Sequence, residues 1–311
     1  MFASRRALTA PHSVPHETGG SDQAAGSPGL PARETTAEIA KRWLLGTAYA
    51  LQPQRIASLP HLLFWTALDL FRGRTEIPDQ NRTRSRPDTF GGVVRHLNAE
   101  TYMAALRLGF FPWAHCGPAK WWTRKQRSVL FFPELHVSRR LRKLMRSGKY
   151  RVTFDTAFEE VVQNCAAPRA YNWHSLTWLT PRFRTLFADL NRKGHTHSYE
   201  VWNTEGELVA GGFGSVVGQV FVGESMFSRE PDTSKLASMV LYAHLKRWGF
   251  AFVDARDRTP VLDKQGYRDI PRAEFEALMR EHAGRSQTTG RWTATLSTAQ
   301  ALDVLECAPD A

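Results

Sequence analysis

The sequence predicts an α/β or α+β fold built on a largely antiparallel sheet, and three observations carry that prediction. Runs rich in β-branched and aromatic residues recur at 128–132, 151–154, 197–202, 208–217 and 220–226. Stretches with apolar residues at helical spacing lie among them, at 157–165, 181–193 and 233–248. Gly218-Gln219 joins two of the strand runs as a hairpin turn, the connection that antiparallel neighbours use.

In chain order, residues 1–35 are rich in Pro, Gly, Ser and Thr and poor in large apolar side chains, so they read as a disordered arm. From 36 to 71, Ile39, Trp43, Leu44, Leu51, Leu62, Leu63 and Leu70 predict two helices with a break near Pro53 and Pro60. Within that region 59–71 is apolar but interrupted by His61 and Asp69, which favours a packed or partner-binding amphipathic helix over a membrane anchor. A polar link carrying Arg82, Arg84 and Arg86 runs to residue 88. A helix is expected at 98–108, stopped by Gly109 and followed by Phe110-Phe111-Pro112-Trp113. After Trp121-Trp122 and the strand at 128–132, residues 138–146 read as a basic helix.

A chain of 311 residues with 42% apolar and 23% charged composition suffices for one large domain or two smaller ones. No run of 18 apolar residues occurs and no apolar core of signal-peptide length follows Arg5-Arg6, so neither export nor a membrane span is expected. Cys116, Cys165 and Cys307 are widely spaced, which fits a reducing cytoplasm better than a disulfide framework. The formal charge is +11, and residues 120–151 hold nearly all of the excess, with eleven basic residues against Glu134. That block interleaves its cations with Trp121, Trp122, Phe131 and Phe132. Two readings stay open for it: phosphate and base contact, or a solvated basic helix whose aromatics lie in the core.

Two segments carry candidate chemistry. Gly223-Glu224-Ser225-Met226-Phe227-Ser228-Arg229 ends a strand just before Asp232, Thr233 and Ser234, which are suited to cap the next helix, and strand-to-helix turns often border pockets. The structural alternative makes Met226 and Phe227 core and pairs Glu224 with Arg229. Asp254 follows Phe250-Ala251-Phe252-Val253 and is expected at a strand end, either as a desolvated functional carboxylate or as a cap or ion partner of Arg256 or Arg258. His136, His195 and His197 lack zinc-ligand spacing and Ser225 lacks a nucleophile-elbow setting, so no metal and no covalent serine chemistry is expected. Gly211, Gly212 and Gly214 fall inside a strand, where close packing explains them better than phosphate binding.

Together with Leu135-His136-Val137-Ser138-Arg139, Arg151-Val152-Thr153, Thr177-Trp178-Leu179-Thr180, His197-Ser198-Tyr199-Glu200-Val201-Trp202, Ser234-Lys235 and Ile270-Pro271-Arg272, these segments resemble the leucyl/phenylalanyl-tRNA-protein transferases over about 106–278. The resemblance implies a small N-terminal domain, placed at 89–126, and a GNAT-like acyltransferase domain at 127–284. Before them lie the arm (1–35) and a helical extension with a basic linker (36–88), and after them a C-terminal tail (285–311). It implies transfer of Leu, Phe or Met from aminoacyl-tRNA to the N-terminal amine of an acceptor protein, a step in N-end-rule protein degradation, in the cytoplasm and without a cofactor. The absence of a QxxGxG-like turn before Thr233 agrees with a donor other than acetyl-CoA.

By position, Trp113 and Trp178 are implied contacts of the terminal adenosine. Phe213, Phe221, Ser225, Met226, Leu241, Leu245 and Val253 are implied to bind the aminoacyl group. Glu224, Asp254 and Arg256 are the implied catalytic group, with proton handling near Asp254, and Arg139, Arg140, Arg142, Lys143, Arg146 and Lys149 the tRNA-binding set. The chain departs from the family in reading Asp254-Ala255-Arg256 where Asp-x-Gln is usual. Arg256 is expected to pair with Asp254, and a cation about 5 Å from an acceptor's Lys or Arg side chain would oppose it by roughly 3 kcal/mol at an effective dielectric near 20. The departure leaves a second reading, a tRNA-binding paralogue that is non-catalytic or has an altered acceptor. Val261 stands where the family has His, Gly91-Gly92-Val93-Val94 where it has Gly-Gly-Asp-Leu, and the first 85 or so residues resemble nothing in it.

Overall fold

The computed structural model describes residues 34–73, 77–84, 87–113, 117–167, 177–285 and 290–307. Residues 1–33 of the expected arm (1–35), Arg86 and Cys116 lie outside them, while Thr35 of that arm is ordered as a helix cap. Thr35 opens α1 (Thr36–Ala50) with a capping box, its hydroxyl accepting from the Glu38 N–H while the Glu38 carboxylate accepts from the Thr35 N–H. α2 (Pro53–Ile56) and α3 (Leu59–Arg72) carry Pro53 and Pro60 in their first turns, where a missing N–H leaves no helix bond unmade. Gly73, with φ 67°, ends α3 in the left-handed conformation that glycine adopts without strain. Asp69 turns inward from α3: its Oδ2 accepts the Val93 N–H at 3.2 Å and its Oδ1 meets Arg82 Nη2 at 2.6 Å.

A small antiparallel sheet follows, β1 (Phe90–Val93), β2 (Phe111–Trp113) and β3 (Lys120–Trp122) in the order β1-β3-β2, with α4 (Ala99–Arg107) between its first two strands. The main sheet has seven strands: β4 (Gln126–Phe131), β5 (Arg151–Phe154), β6 (Thr196–Trp202), β7 (Leu208–Val217), β8 (Val220–Ser228), β9 (Phe252–Arg256) and β10 (Arg268–Pro271). Their order is β10-β4-β9-β8-β7-β6-β5, and every neighbouring pair is antiparallel except β8 with β9. The protein is therefore α+β with a mostly antiparallel sheet. Asp254 lies inside β9, paired in register with Val129 and Val222, and not at its end.

The remaining helices are α5 (Arg139–Arg146), α6 (Phe158–Ala166), α7 (Pro181–Arg192), α8 (Thr233–Arg247), α9 (Pro260–Asp263), α10 (Arg272–His282) and α11 (Thr298–Glu306). Side chains of successive strand residues point to opposite faces, and β8 obeys this: Val220 and Val222 join Tyr102, Phe187 and Phe275 in one buried cluster, while Phe221 joins Leu141, Leu241 and Leu302 in another. α4, α6, α7 and α10 thus cover one face, and α5, α8 and α11 the other. The glycines of β7 are demanded by packing. A Cβ on Gly211 would stand 2.8 Å from the Tyr199 carbonyl oxygen, and one on Gly214 2.7 Å from that of Val222.

Of the stretch 285–311, expected as a tail, residues 290–307 are docked on the domain. Trp292 is buried and stacks on His197 with centroids 3.9 Å apart and planes within 2°. Asp155 holds both: its Oδ2 accepts from the Trp292 N–H at 2.8 Å and lies 2.7 Å from His197 Nδ1. Further on, the buried Thr298 hydroxyl donates to the Met145 carbonyl at 2.6 Å, tying α11 to α5. Thr298→Val keeps the volume and removes this donor, so a loss of about 1 kcal/mol is expected in urea unfolding.

Candidate functional site

The main sheet opens where β8 leaves β9. The two strands pair over Val220↔Phe252, Phe221↔Val253 and Val222↔Asp254, and there the ladder ends. On its other side β8 carries a bulge against β7: Gly214 pairs with Gly223 and Phe213 with Ser225, which leaves Glu224 as the extra residue. Bulges re-aim side chains, and this one sends the Glu224 carboxylate into a buried polar group. Its Oε1 accepts from the Tyr102 hydroxyl of α4 and from Ser215 Oγ at 3.0 Å. Its Oε2 lies 2.7 Å from Arg256 Nη2, with side-chain exposures of 1% and 10%. That contact is an ion pair outside hydrogen-bond alignment, so Glu224 Oε2 and Arg256 Nε and Nη2 have no hydrogen-bond partner.

Arg256 ends β9 in the left-handed region, at φ 64°, a conformation that costs a non-glycine residue on the order of 1 kcal/mol. Its N–H donates to Asp254 Oδ1 at 2.8 Å, which holds the turn. Burial alone would depress the Arg256 guanidinium, but Glu224 and, behind it, Tyr102 and Asp254 outweigh that and raise its pKa, so it stays a cation. Burial, reinforced by the charge of Glu224, pushes the Tyr102 phenol well above its ordinary range, so it stays a donor.

Asp254 itself faces Arg127 and not the Arg256 side chain. Arg127 Nε donates to Asp254 Oδ1 at 3.2 Å, its Nη2 donates to Oδ2, and its Nη1 donates to the Gly109 carbonyl at 2.8 Å. Both side chains are buried. The expected Asp254–Arg256 side-chain pair is thus replaced by two crossed pairs, Asp254 with Arg127 and Glu224 with Arg256. The alternatives resolve likewise: Arg229 donates to Asn164 and Leu208, and Arg258 pairs with Asp263 and Asp269. Asp232 is the α8 N-cap without a side-chain cap bond, its carboxylate taken by Lys235 and Arg140.

Trp113 and Trp178 stack on each other, centroids 5.7 Å apart and planes 20° apart. Edge contacts run from Trp178 to Phe187 and from Phe187 to Tyr102 and Phe213, which links the stack to the Glu224 group. Phe221, Leu241, Leu245 and Val253 are buried together, with Met226 against them. Phe213 lies in the other cluster, across the sheet. Ser225, like Met226, is half-buried on β8.

The basic block divides on folding. Arg127 is internal, and Trp121 is core, as in the solvated-helix reading of the aromatics. Arg124 pairs with Asp257, Lys125 with Asp88, and Arg142 and Arg146 both with Glu306. Among the described residues Arg139, Lys143 and Lys149 form no ion pair. Arg139, Arg142, Lys143, Arg146 and Ser147 line an open groove of about 560 Å³ on α5. A concavity of about 700 Å³ between Asp155, Glu160, Asn191 and Arg291 contains none of the sequence-predicted site residues. Among the described residues no group of three or more His, Cys, Asp and Glu side chains is placed to hold a metal ion.

Sequence reasoning missed Tyr102, Ser215 and Arg127. For Arg127 a signal existed, a lone cation just before the apolar run Val129-Leu130-Phe131 of β4. For Tyr102 and Ser215 none did, because their partner lies 122 and 9 residues away and is fixed by the bulge.

A family model described as Leucyl/phenylalanyl-tRNA protein transferase matches residues 129–280. The Leucyl/phenylalanyl-tRNA--protein transferase of Stutzerimonas stutzeri (strain A1501) is 47% identical over 190 residues, 61% of this chain and 83% of that protein. Proteins of the same name are 40% identical in Pseudomonas syringae pv. syringae (strain B728a), over 72% of this chain and 97% of the relative, and 42% identical in Azotobacter vinelandii (strain DJ / ATCC BAA-1303), over 68% and 93%. Among solved structures, L-PGS from Bacillus licheniformis overlaps 52% of this chain and 50% of its own at a TM-score of 0.29 and 11% identity, too low to bear on the fold.

Proposed function

The chain belongs to the leucyl/phenylalanyl-tRNA protein transferase family, and from that premise we propose that it transfers an amino acid from aminoacyl-tRNA to the N-terminal amine of an acceptor protein at the opening between β8 and β9. It is an aminoacyltransferase. The observation that carries the site is the buried Glu224–Arg256 pair at the point where those strands part. A parallel pair that ends partway along β8, within an otherwise antiparallel sheet, supports a GNAT-like core; we assign that core to 127–284, the small N-terminal domain to 89–126 and the place of work to the cytoplasm on the family resemblance. A tRNA-binding protein without turnover is not favoured, since the relatives above are named for transfer.

The reaction is ester aminolysis. The acceptor amine attacks the aminoacyl carbonyl carbon, a C–N bond forms, the C–O bond to the tRNA ribose breaks, and the proton lost by nitrogen ends on the ribose hydroxyl. An α-amine with a pKa of roughly 7.7–8.0 is partly neutral at cellular pH, so placement does most of the work. Trp113 and Trp178 offer faces for the terminal adenosine. Phe221, Met226, Leu241, Leu245 and Val253 surround the aminoacyl side chain from one face of the sheet, and Phe213 and Ser225 bound it on β7 and β8. Glu224 and Arg256 flank the reacting carbonyl. Asp254, fully enclosed by Arg127 and the Arg256 N–H, acts as a positioning residue. The test is transfer of labelled Leu, Phe or Met from charged tRNA to peptides that begin with Lys, Arg, Asp or Glu. Label in peptide is expected, and its absence with every acceptor would overturn the proposal.

We place the tRNA acceptor stem on the α5 groove, with Arg139, Arg140, Arg142, Lys143, Arg146 and Lys149 around it. Arg139 and Lys143 can neutralise phosphates without first leaving an internal partner. Arg139→Ala with Lys143→Ala is expected to weaken tRNA binding and to flatten the plot of log K against log salt by about 1 per lost contact. Filter binding over a salt series reads both.

A further inference from the structure

In α3 the exposed residues are Pro60, His61, Leu63, Phe64, Ala67, Leu70, Phe71 and Arg72. Pro60, Leu63, Phe64, Ala67, Leu70 and Phe71 follow the spacing of one helical stripe, and all six are apolar. Phe71 is 90% exposed. α1 shows the same pattern, with Trp43, Leu44 and, just beyond it, Leu51 exposed. The outward orientation of the α3 stripe is fixed, because Asp69 on the opposite side of α3 is locked to Val93 and Arg82, and Arg95 Nη2 donates to the Asp69 and Leu70 carbonyls at 2.9 and 3.1 Å. The acid that interrupts the apolar run in sequence therefore never meets the outer face. Apolar side chains that a helix normally buries are turned away from the core by a buried carboxylate.

We propose that the outer face of α1 and α3 seats the protein on an anionic membrane surface. Charge selects this occupant. Over residues 36–72 the exposed ionisable side chains are Lys41, Arg55, Arg72 and His61 against the single acid Glu38, and the whole chain carries +11. A second copy would set those cations against their own kind, whereas an apolar stripe bearing Trp, Phe and Leu beside cations is the pattern of helices that lie in a lipid headgroup layer. Residues 1–33 offer only the scattered Met1, Phe2, Leu8, Val14 and Leu30 as large apolar side chains, so they supply no matching stripe. With 14 residues α3 is about 21 Å long, short of the roughly 30 Å hydrocarbon core, so it lies along the surface.

The test is co-sedimentation of the full chain with phosphatidylcholine vesicles, with and without phosphatidylglycerol, at low and high salt. Binding is expected only with phosphatidylglycerol and is expected to weaken with salt. Phe64→Ser with Phe71→Ser should lower the partition coefficient by on the order of tenfold or more. Lys41→Gln with Arg72→Gln, which leaves the apolar face intact, should weaken binding as well and keeps the test sound if the first variant misfolds. No binding to phosphatidylglycerol vesicles would overturn the proposal. So would binding abolished by Arg139→Ala with Lys143→Ala but untouched by the changes on α1 and α3, or a dimer in light scattering that Phe64→Ser with Phe71→Ser dissolves.

Discussion

Asp254→Ala is expected to lower the unfolding free energy by about 3–5 kcal/mol, because it leaves the Arg127 guanidinium charged and enclosed with only the Gly109 carbonyl to answer it. Arg127 also rests over the Phe275 ring at 4.2 Å, so no outward swing to water is open without unpacking that face. The converse change, Arg127→Met, strands the carboxylate and should cost a similar amount. Removing both charges together, as Arg127→Met with Asp254→Leu, is expected to recover much of the loss, since a buried pair replaced by apolar volume is often close to neutral. Transfer activity should not return with stability. Asp254 Oδ1 is the acceptor that holds the Arg256 N–H in its left-handed turn, and Leu offers none. A double variant that is stable yet inactive would mark Asp254 as a positioning residue; recovery of both would reduce it to a structural charge. Denaturant midpoints and single-turnover transfer read the two quantities separately.

Much of this architecture was legible in the sequence, and what was not has a common cause. The strands at 151–154 and 208–217 and the helices at 181–193 and 233–248 match β5, β7, α7 and α8 to within a residue or so, because β-branched runs and helical spacing are local signals. Glu224, Asp254 and Arg256 were also visible as candidates. Their pairing was not. In sequence Asp254 and Arg256 are two residues apart and look like partners. On β9 the left-handed turn at Arg256 sends its side chain toward Glu224, while Asp254 faces Arg127 on β4. Local spacing cannot report a bulge in β8 or a strand inserted between distant segments. The same limit applies to the basic block, where acids 100 residues or more away, Asp257 and Glu306, claim Arg124, Arg142 and Arg146, and to Asp69, whose direction decides what α3 presents.

The crossed pairs also change what Arg256 means for the acceptor. Taken alone, a cation about 5 Å from an acceptor's Lys or Arg side chain opposes it by roughly 3 kcal/mol at an effective dielectric near 20. With the Glu224 carboxylate 2.7 Å from that cation, an incoming charge meets a dipole, and the opposition falls to about 1 kcal/mol by the same arithmetic. Wild-type protein is therefore expected to accept peptides that begin with Lys or Arg, and to discriminate only weakly between them and acidic ones. Unbalancing the pair should move that preference in opposite directions. Arg256→Gln leaves the carboxylate in excess and should raise the ratio of kcat/KM for Lys-peptides over Glu-peptides by on the order of tenfold to a hundredfold. Glu224→Gln leaves the cation in excess and should lower it by a similar factor, with a fall in stability because the buried Arg256 loses its counter-charge. The double variant restores neutrality and should return the ratio near its wild-type value even if its rate is low. That return separates an electrostatic role from a structural one, since damage to the fold would lower kcat/KM for both peptides together and leave their ratio where it was.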